Sequence, residues 1–108
     1  MPGRIESLLG LGRRAGLVLS GDQRVWQALR DNRAQAILLA TDAGEAVKRK
    51  FARLAAQKEI RAWLWGEKET LGRIIGESPR AVVAITDRQM ALQLGRLLDE
   101  QGGGASEQ

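Results

Sequence analysis

Ser20, Gly21, Asp22, Gln23, Arg24 and Gln27 fall within eight consecutive positions and gather hydroxyl, carboxamide, guanidinium and backbone N–H groups in one place. The apolar residues interleaved with them, Val25, Trp26, Ala28 and Leu29, recur with helical spacing, so the cluster sits at a helix N-terminus. Glutamine and arginine suit the edges of bases in a groove, and the unbonded N–H groups of a helix end attract phosphate. Asp22 argues against phosphate, and Ser20 and Asp22 are also the natural caps of that helix.

A second group, Lys48, Arg49, Lys50 and Arg53, lies on a helix whose other face carries Ala46, Val47, Phe51, Leu54 and Ala55. Four cations in six positions create a positive surface next to the turn at Asp42, suited either to a phosphate backbone or to plain solvation. Trp63 and Trp65 project to one side of a strand. Trp63 reads as core, Trp65 beside Gly66 as partly exposed, and Trp26 as core.

Catalytic patterns are missing. Gly10, Gly12 and Gly16 are spaced one residue too far for a dinucleotide loop and follow no strand, so they read as helix packing and capping. Glu67 and Glu69 lie at a helix start, where the dipole favours negative charge. Ser7, Ser20, Ser78 and Ser106 have no histidine to activate them. The chain contains neither Cys nor His, which removes disulfides, thiolate nucleophiles, imidazole catalysis and the usual zinc ligands, and no cofactor or metal is implied.

The elements that must hold these groups alternate. Arg4 to Gly16 reads as a helix ending in a left-handed glycine cap, Leu17 to Leu19 as a short strand, and the segment after Ser20 as a second helix. Ala36 to Ala40 and Ala81 to Ile85 are continuous apolar runs of strand length, as expected for strands covered on both faces. Ile60 to Trp65 is a further strand, Glu67 to Ile75 a helix, and Asp87 caps a last helix carrying Met90, Ala91, Leu94, Leu97 and Leu98. Asp42 is the expected cap of the basic helix. This order predicts an α/β fold, a three-layer α/β/α sandwich with a small mixed sheet of about four strands.

At 108 residues and 44% hydrophobic content the chain allows one core, read as a single domain over 1–100 with a disordered tail over 101–108. The apolar runs are too short to span a bilayer, and a cytoplasmic protein is expected. The net charge of +4 is unevenly spread: twelve basic residues face six acidic ones from Met1 to Gly66, and five face seven beyond. A polyanionic partner fits that asymmetry.

The ordered segments LLGLGRRAGLVLSGDQRV, AQAILLATDAGEAVKRK and EKETLGRIIGESPRAVVAITD resemble the ribosomal protein L7Ae superfamily, related to the L30e type and nearest its bacterial YlxQ-type branch. The likeness runs from about Ser7 to Leu98. It implies a non-catalytic RNA-binding protein of ribosomal type with structured RNA, kink-turn RNA included, as partner. Kink-turn binders open their second helix with G-x-N-E-x-x-K; Gly21 matches the glycine, while Gln23, Arg24 and Gln27 replace Asn, Glu and Lys. Arg24 thus exchanges an acceptor for a donor, which suits guanine O6 and N7 or a phosphate and leaves kink-turn selectivity open. Lys68 matches the family lysine before LGR. The loop that shelters a flipped base is here Glu77, Ser78, Pro79 and Arg80, where Glu77 is a poor apolar substitute and Arg80 compensates. Gly44 and Lys48 stand where the binders often carry an acidic and an apolar residue. The RNA-binding set is therefore Gly21, Asp22, Gln23, Arg24, Gln27, Lys48, Lys68, Ser78 and Arg80, with Lys48, Lys68 and Arg80 on phosphates. Two rival readings are a protein-interaction module on the ribosome or transcription machinery and a nucleotide-utilising enzyme.

Overall fold

A computed structural model describes residues 3–101. The chain runs α1 (Arg4–Arg14), β1 (Val18–Ser20), α2 (Asp22–Arg30), β2 (Ala36–Leu39), α3 (Glu45–Gln57), β3 (Arg61–Leu64), α4 (Lys68–Ile74), β4 (Val82–Ile85), α5 (Arg88–Glu100). The strands form one sheet in the order β1-β4-β2-β3. β4 is antiparallel to both β1 and β2, and β2 is parallel to β3, so the sheet is mixed as expected.

Because side chains alternate along a strand, each strand feeds two cores. Leu38, Trp63, Val83 and Ile85 point to the side covered by α1, α4 and α5, where they meet Ile5, Leu9, Leu71, Leu94 and Leu98. Ile37, Leu39, Val82 and Ala84 point the other way, against Val25, Ala28 and Leu29 of α2 and Phe51 and Ala55 of α3. β2 and β4 are buried along their whole length, which explains why their sequences run apolar without alternation. Trp63 is buried as expected, with Arg61 stacked 4.4 Å from its ring centroid, and Trp65 is half-buried. Trp26 departs from the core reading: it is only half-buried, and the Arg30 guanidinium lies 4.8 Å from its ring.

Two expected caps are not made. Ser20 and Asp22 leave α2 uncapped by any side chain, because Gly21 takes the cap position and Ser20 is drawn inward as the end of β1. Asp42 does not cap α3, whose cap position is Gly44; the Asp42 carboxylate turns to the start of α4. Asp87 does cap α5, accepting from the Met90 N–H at 2.9 Å. Gly12 packs against Met90, and Gly16 closes α1 in left-handed backbone, in line with the packing and capping reading. Of the expected tail over 101–108, Gln101 closes α5, and the remainder lies outside the described residues.

Helix α3 closes on a different residue. Glu59 adopts φ 59° while its N–H donates to the Ala56 carbonyl and that of Ile60 to Ala55, the double bond of a Schellman turn. A side chain in left-handed backbone costs about 1–2 kcal/mol, part of which glycine gives back as unfolded-chain entropy. Glu59→Gly should therefore raise stability by about 0.5–1 kcal/mol, read as a higher midpoint in chemical denaturation; an unchanged or lower midpoint would contradict the assignment.

Candidate nucleic-acid interface

The sheet registers bring four loops to one edge. Ser20 pairs with Val83, and Leu39 pairs with both Val82 and Leu64, so β1, β2 and β3 end where β4 begins. The segments after Ser20, Leu39 and Leu64 and the one before Val82 must then meet along a single rim. Backbone bonds stitch them: Gly21 N–H to Val82 O at 3.1 Å, Ala40 N–H to Ala81 O at 2.8 Å, Thr41 N–H to Gly66 O at 2.7 Å, and Arg80 N–H to Lys68 O at 3.0 Å. The Asp42 carboxylate accepts from the Lys68 N–H at 2.8 Å, so it caps α4 from a loop twenty-six residues away in sequence. This fixes where Lys68 leaves the fold.

A cleft of about 460 Å³ opens along this rim, lined by Ser20, Gly21, Asp22, Gln23, Arg24, Lys68, Pro79, Arg80 and Ala81. Gly21 enters α2 at φ 96°, a conformation denied to most side chains, and nothing stands over it. With no side-chain cap, the first-turn N–H groups of α2 face the cleft's own end of the helix. Gln23, Arg24 and Lys68 are exposed, and none of the three side chains has a hydrogen-bond or ionic partner among the described residues. They offer one carboxamide and two cations to whatever enters.

Arg80 is used differently. Its Nε donates to Ser20 Oγ at 3.1 Å, Nη1 to Ser78 Oγ at 2.6 Å, and Nη2 to Glu77 Oε1 at 3.1 Å, leaving 27% of the side chain exposed. It is the brace of the Glu77–Arg80 loop, and it pairs the Glu77 carboxylate within that loop, which is the compensation expected of it. Lys48 likewise turns back, its Nζ donating to Thr41 O at 3.2 Å and pairing with Glu45 at 3.1 Å. Gln27 lies a turn along α2, donating to Asp31 at 3.0 Å. Of the sequence-derived set, then, Gly21, Asp22, Gln23, Arg24, Lys68 and Arg80 line one cleft, Ser78 sits behind Arg80, and Gln27 and Lys48 lie off its wall. Pro79 lines it as part of the loop that the resemblance implied, while Ala81, read from sequence only as the start of a buried strand, lines it unforeseen.

Residues 3–95 match the ribosomal protein L7Ae/L30e/S12e/Gadd45 family. The chain belongs to that family. Among its relatives, the RNA-binding protein YlxQ of Bacillus subtilis (strain 168) is 37% identical over 92 residues, covering 85% of this chain and 92% of that protein. The YlxQ protein of Enterococcus faecium is 27% identical over 93 residues, covering 86% and 89%. The chain is a bacterial YlxQ-type member of the family, as the ordered motifs implied. A Bacillus halodurans protein of unknown function superposes with a TM-score of 0.87 at 31% identity, over 91% of this chain and 99% of that one. A Giardia lamblia 15.5kD RNA binding protein shares the fold, with a TM-score of 0.75 at 15% identity over 93% and 92%.

The LGR segment of this family member, Leu71-Gly72-Arg73, has a steric reason for its glycine. A Cβ at Gly72 would lie 2.9 Å from the Glu77 carbonyl oxygen and closer still to that of Ser78. α4 and the rim loop therefore touch backbone to backbone. Gly72→Ala should cost about 1–3 kcal/mol, the scale of overpacking, and loosen the loop that Arg80 braces. Thermal unfolding together with amide exchange at Glu77 to Arg80 would test this; native stability in the variant would contradict the contact.

Proposed function

We propose that this protein is a non-catalytic RNA-binding protein of ribosomal type that grips structured RNA in the rim cleft, working in the cytoplasm. The observation that carries the reading is the uncapped, glycine-entered start of α2 flanked by unengaged Gln23, Arg24 and Lys68. The YlxQ relatives, named as RNA-binding proteins, support it. Gln23 and Arg24 contact base edges or phosphate, with Gln27 reached by RNA that follows α2 further; Lys68 takes phosphate. Gly21 and Asp22 shape the helix entry, and Ser78 and Arg80 hold the facing wall. Lys48 reaches phosphate only by leaving Thr41 and Glu45, so it serves the rim first as a brace. Structured RNA, kink-turns included, is the proposed ligand, but Arg24 brings a donor where kink-turn binders carry an acceptor, so no strict kink-turn selectivity is proposed.

Each cation on a phosphate releases counterions, so affinity for kink-turn RNA should fall linearly with salt on a log–log plot. Titration of fluorescent kink-turn RNA and a control duplex at several salt concentrations checks this, and failure to bind any structured RNA at low salt would overturn the reading. Arg24→Ala should weaken binding by about 1–3 kcal/mol, the scale of a good base contact, whereas Lys68→Ala should lower the salt slope by about one. Unchanged affinity in Arg24→Ala would place the site elsewhere.

A further inference from the structure

The outer face of α2 and α3 holds a group of cations that the rim does not use. Arg49 and Arg53 are exposed and have no partner among the described residues, while Arg30 and Lys50 contact only the rings of Trp26 and Phe51. Arg49 and Arg53 stand four apart on the solvent side of α3, where like charges repel along a helix. The fold gains nothing from that placement. Between the two helices lies a separate cavity of about 360 Å³, lined by Asp22, Gln23, Trp26 and Lys50. Its wall of Asp22 and Gln23 is also a wall of the rim cleft, so the two hollows adjoin across the first turn of α2.

An aromatic ring beside cations, open to solvent and continuous with a polyanion site, has the make-up of a platform for unpaired nucleotides. We propose that the α2/α3 groove is a second RNA-binding surface, taking single-stranded nucleotides that leave the structured element held at the rim. One base stacks against the Trp26 and Arg30 pair, and its flanking phosphates meet Lys50 and Arg53. Asp22, the acid in the shared wall, accepts from a base amino group or a ribose hydroxyl and keeps phosphate on the Lys50 side. The duplex alternative is disfavoured because bases inside a duplex are stacked on one another and offer no free face to Trp26 in the cavity wall.

This inference rests on the RNA-binding reading, and its test separates the two. Fluorescence anisotropy would compare one kink-turn hairpin ending blunt with the same hairpin carrying a single-stranded extension of about six nucleotides. The extension should tighten binding by the wild-type chain roughly tenfold, the scale of one stacked base with its phosphates. Lys50→Glu with Arg53→Glu, both exposed and outside the core, should abolish that gain while the blunt hairpin binds as before. Trp26→Leu should abolish it too, whereas Trp26→Phe retains part. The groove is refuted if the extension brings no gain to the wild type, or if the gain survives the double charge reversal. If the extended RNA binds and the blunt one does not, the groove stands and the rim reading falls.

Discussion

Strand β4 is inserted antiparallel between β1 and β2, and the meeting of the rim loops follows from that insertion. It is the last strand in the chain and a central one in the sheet, buried on both faces, and its beginning lies beside the ends of both neighbours. Three strand ends and one strand start therefore share an edge, and the loops attached to them form a rim. The register allows no slippage, since moving β4 by one residue would turn Val82 and Ala84 from the α2/α3 core into the other one.

Along that rim, charge is divided between structure and surface. Arg80 and Lys48 spend their donors on Ser20, Ser78, Glu77, Thr41 and Glu45, and Asp42 spends its carboxylate on the start of α4. These groups hold the loops still. The cations left over, Arg24 and Lys68, are fixed at their backbones by the sheet and by Asp42 and so face solvent from defined positions. Such pre-placement lowers the ordering cost of binding more than it adds contacts. The same division recurs on α3, where Lys48 is internal and Arg49, Lys50 and Arg53 are not.

Membership of the L7Ae family brings the fold, and the proposed rim departs in its chemistry from the kink-turn motif of the resemblance. Where the family motif would put an acceptor, Arg24 puts a donor. A guanidinium can approach guanine through O6 and N7 or lie on a phosphate, and neither choice reproduces a carboxylate contact to an amino group.

Periodicity and apolar runs were enough to find the nine elements of the described residues, the two-sided burial of β2 and β4, the burial of Trp63 and the cap at Asp87, because each depends on residues close in sequence. The cluster at Gly21 to Arg24 was legible for the same reason. The bond from Lys68 to Asp42, the brace that Arg80 builds on Ser20, and the inward turn of Lys48 were not, since each joins groups whose nearness is decided by strand order. Ser20 and Asp22 illustrate the limit: local rules made them caps of α2, yet β-pairing carried Ser20 into the wall and left Gly21 at the helix entry. Local sequence determined which segments become helix or strand and which faces they bury. Tertiary structure alone decided which cations hold the rim together and which stay free to bind, because partnership between charges depends on distance in space.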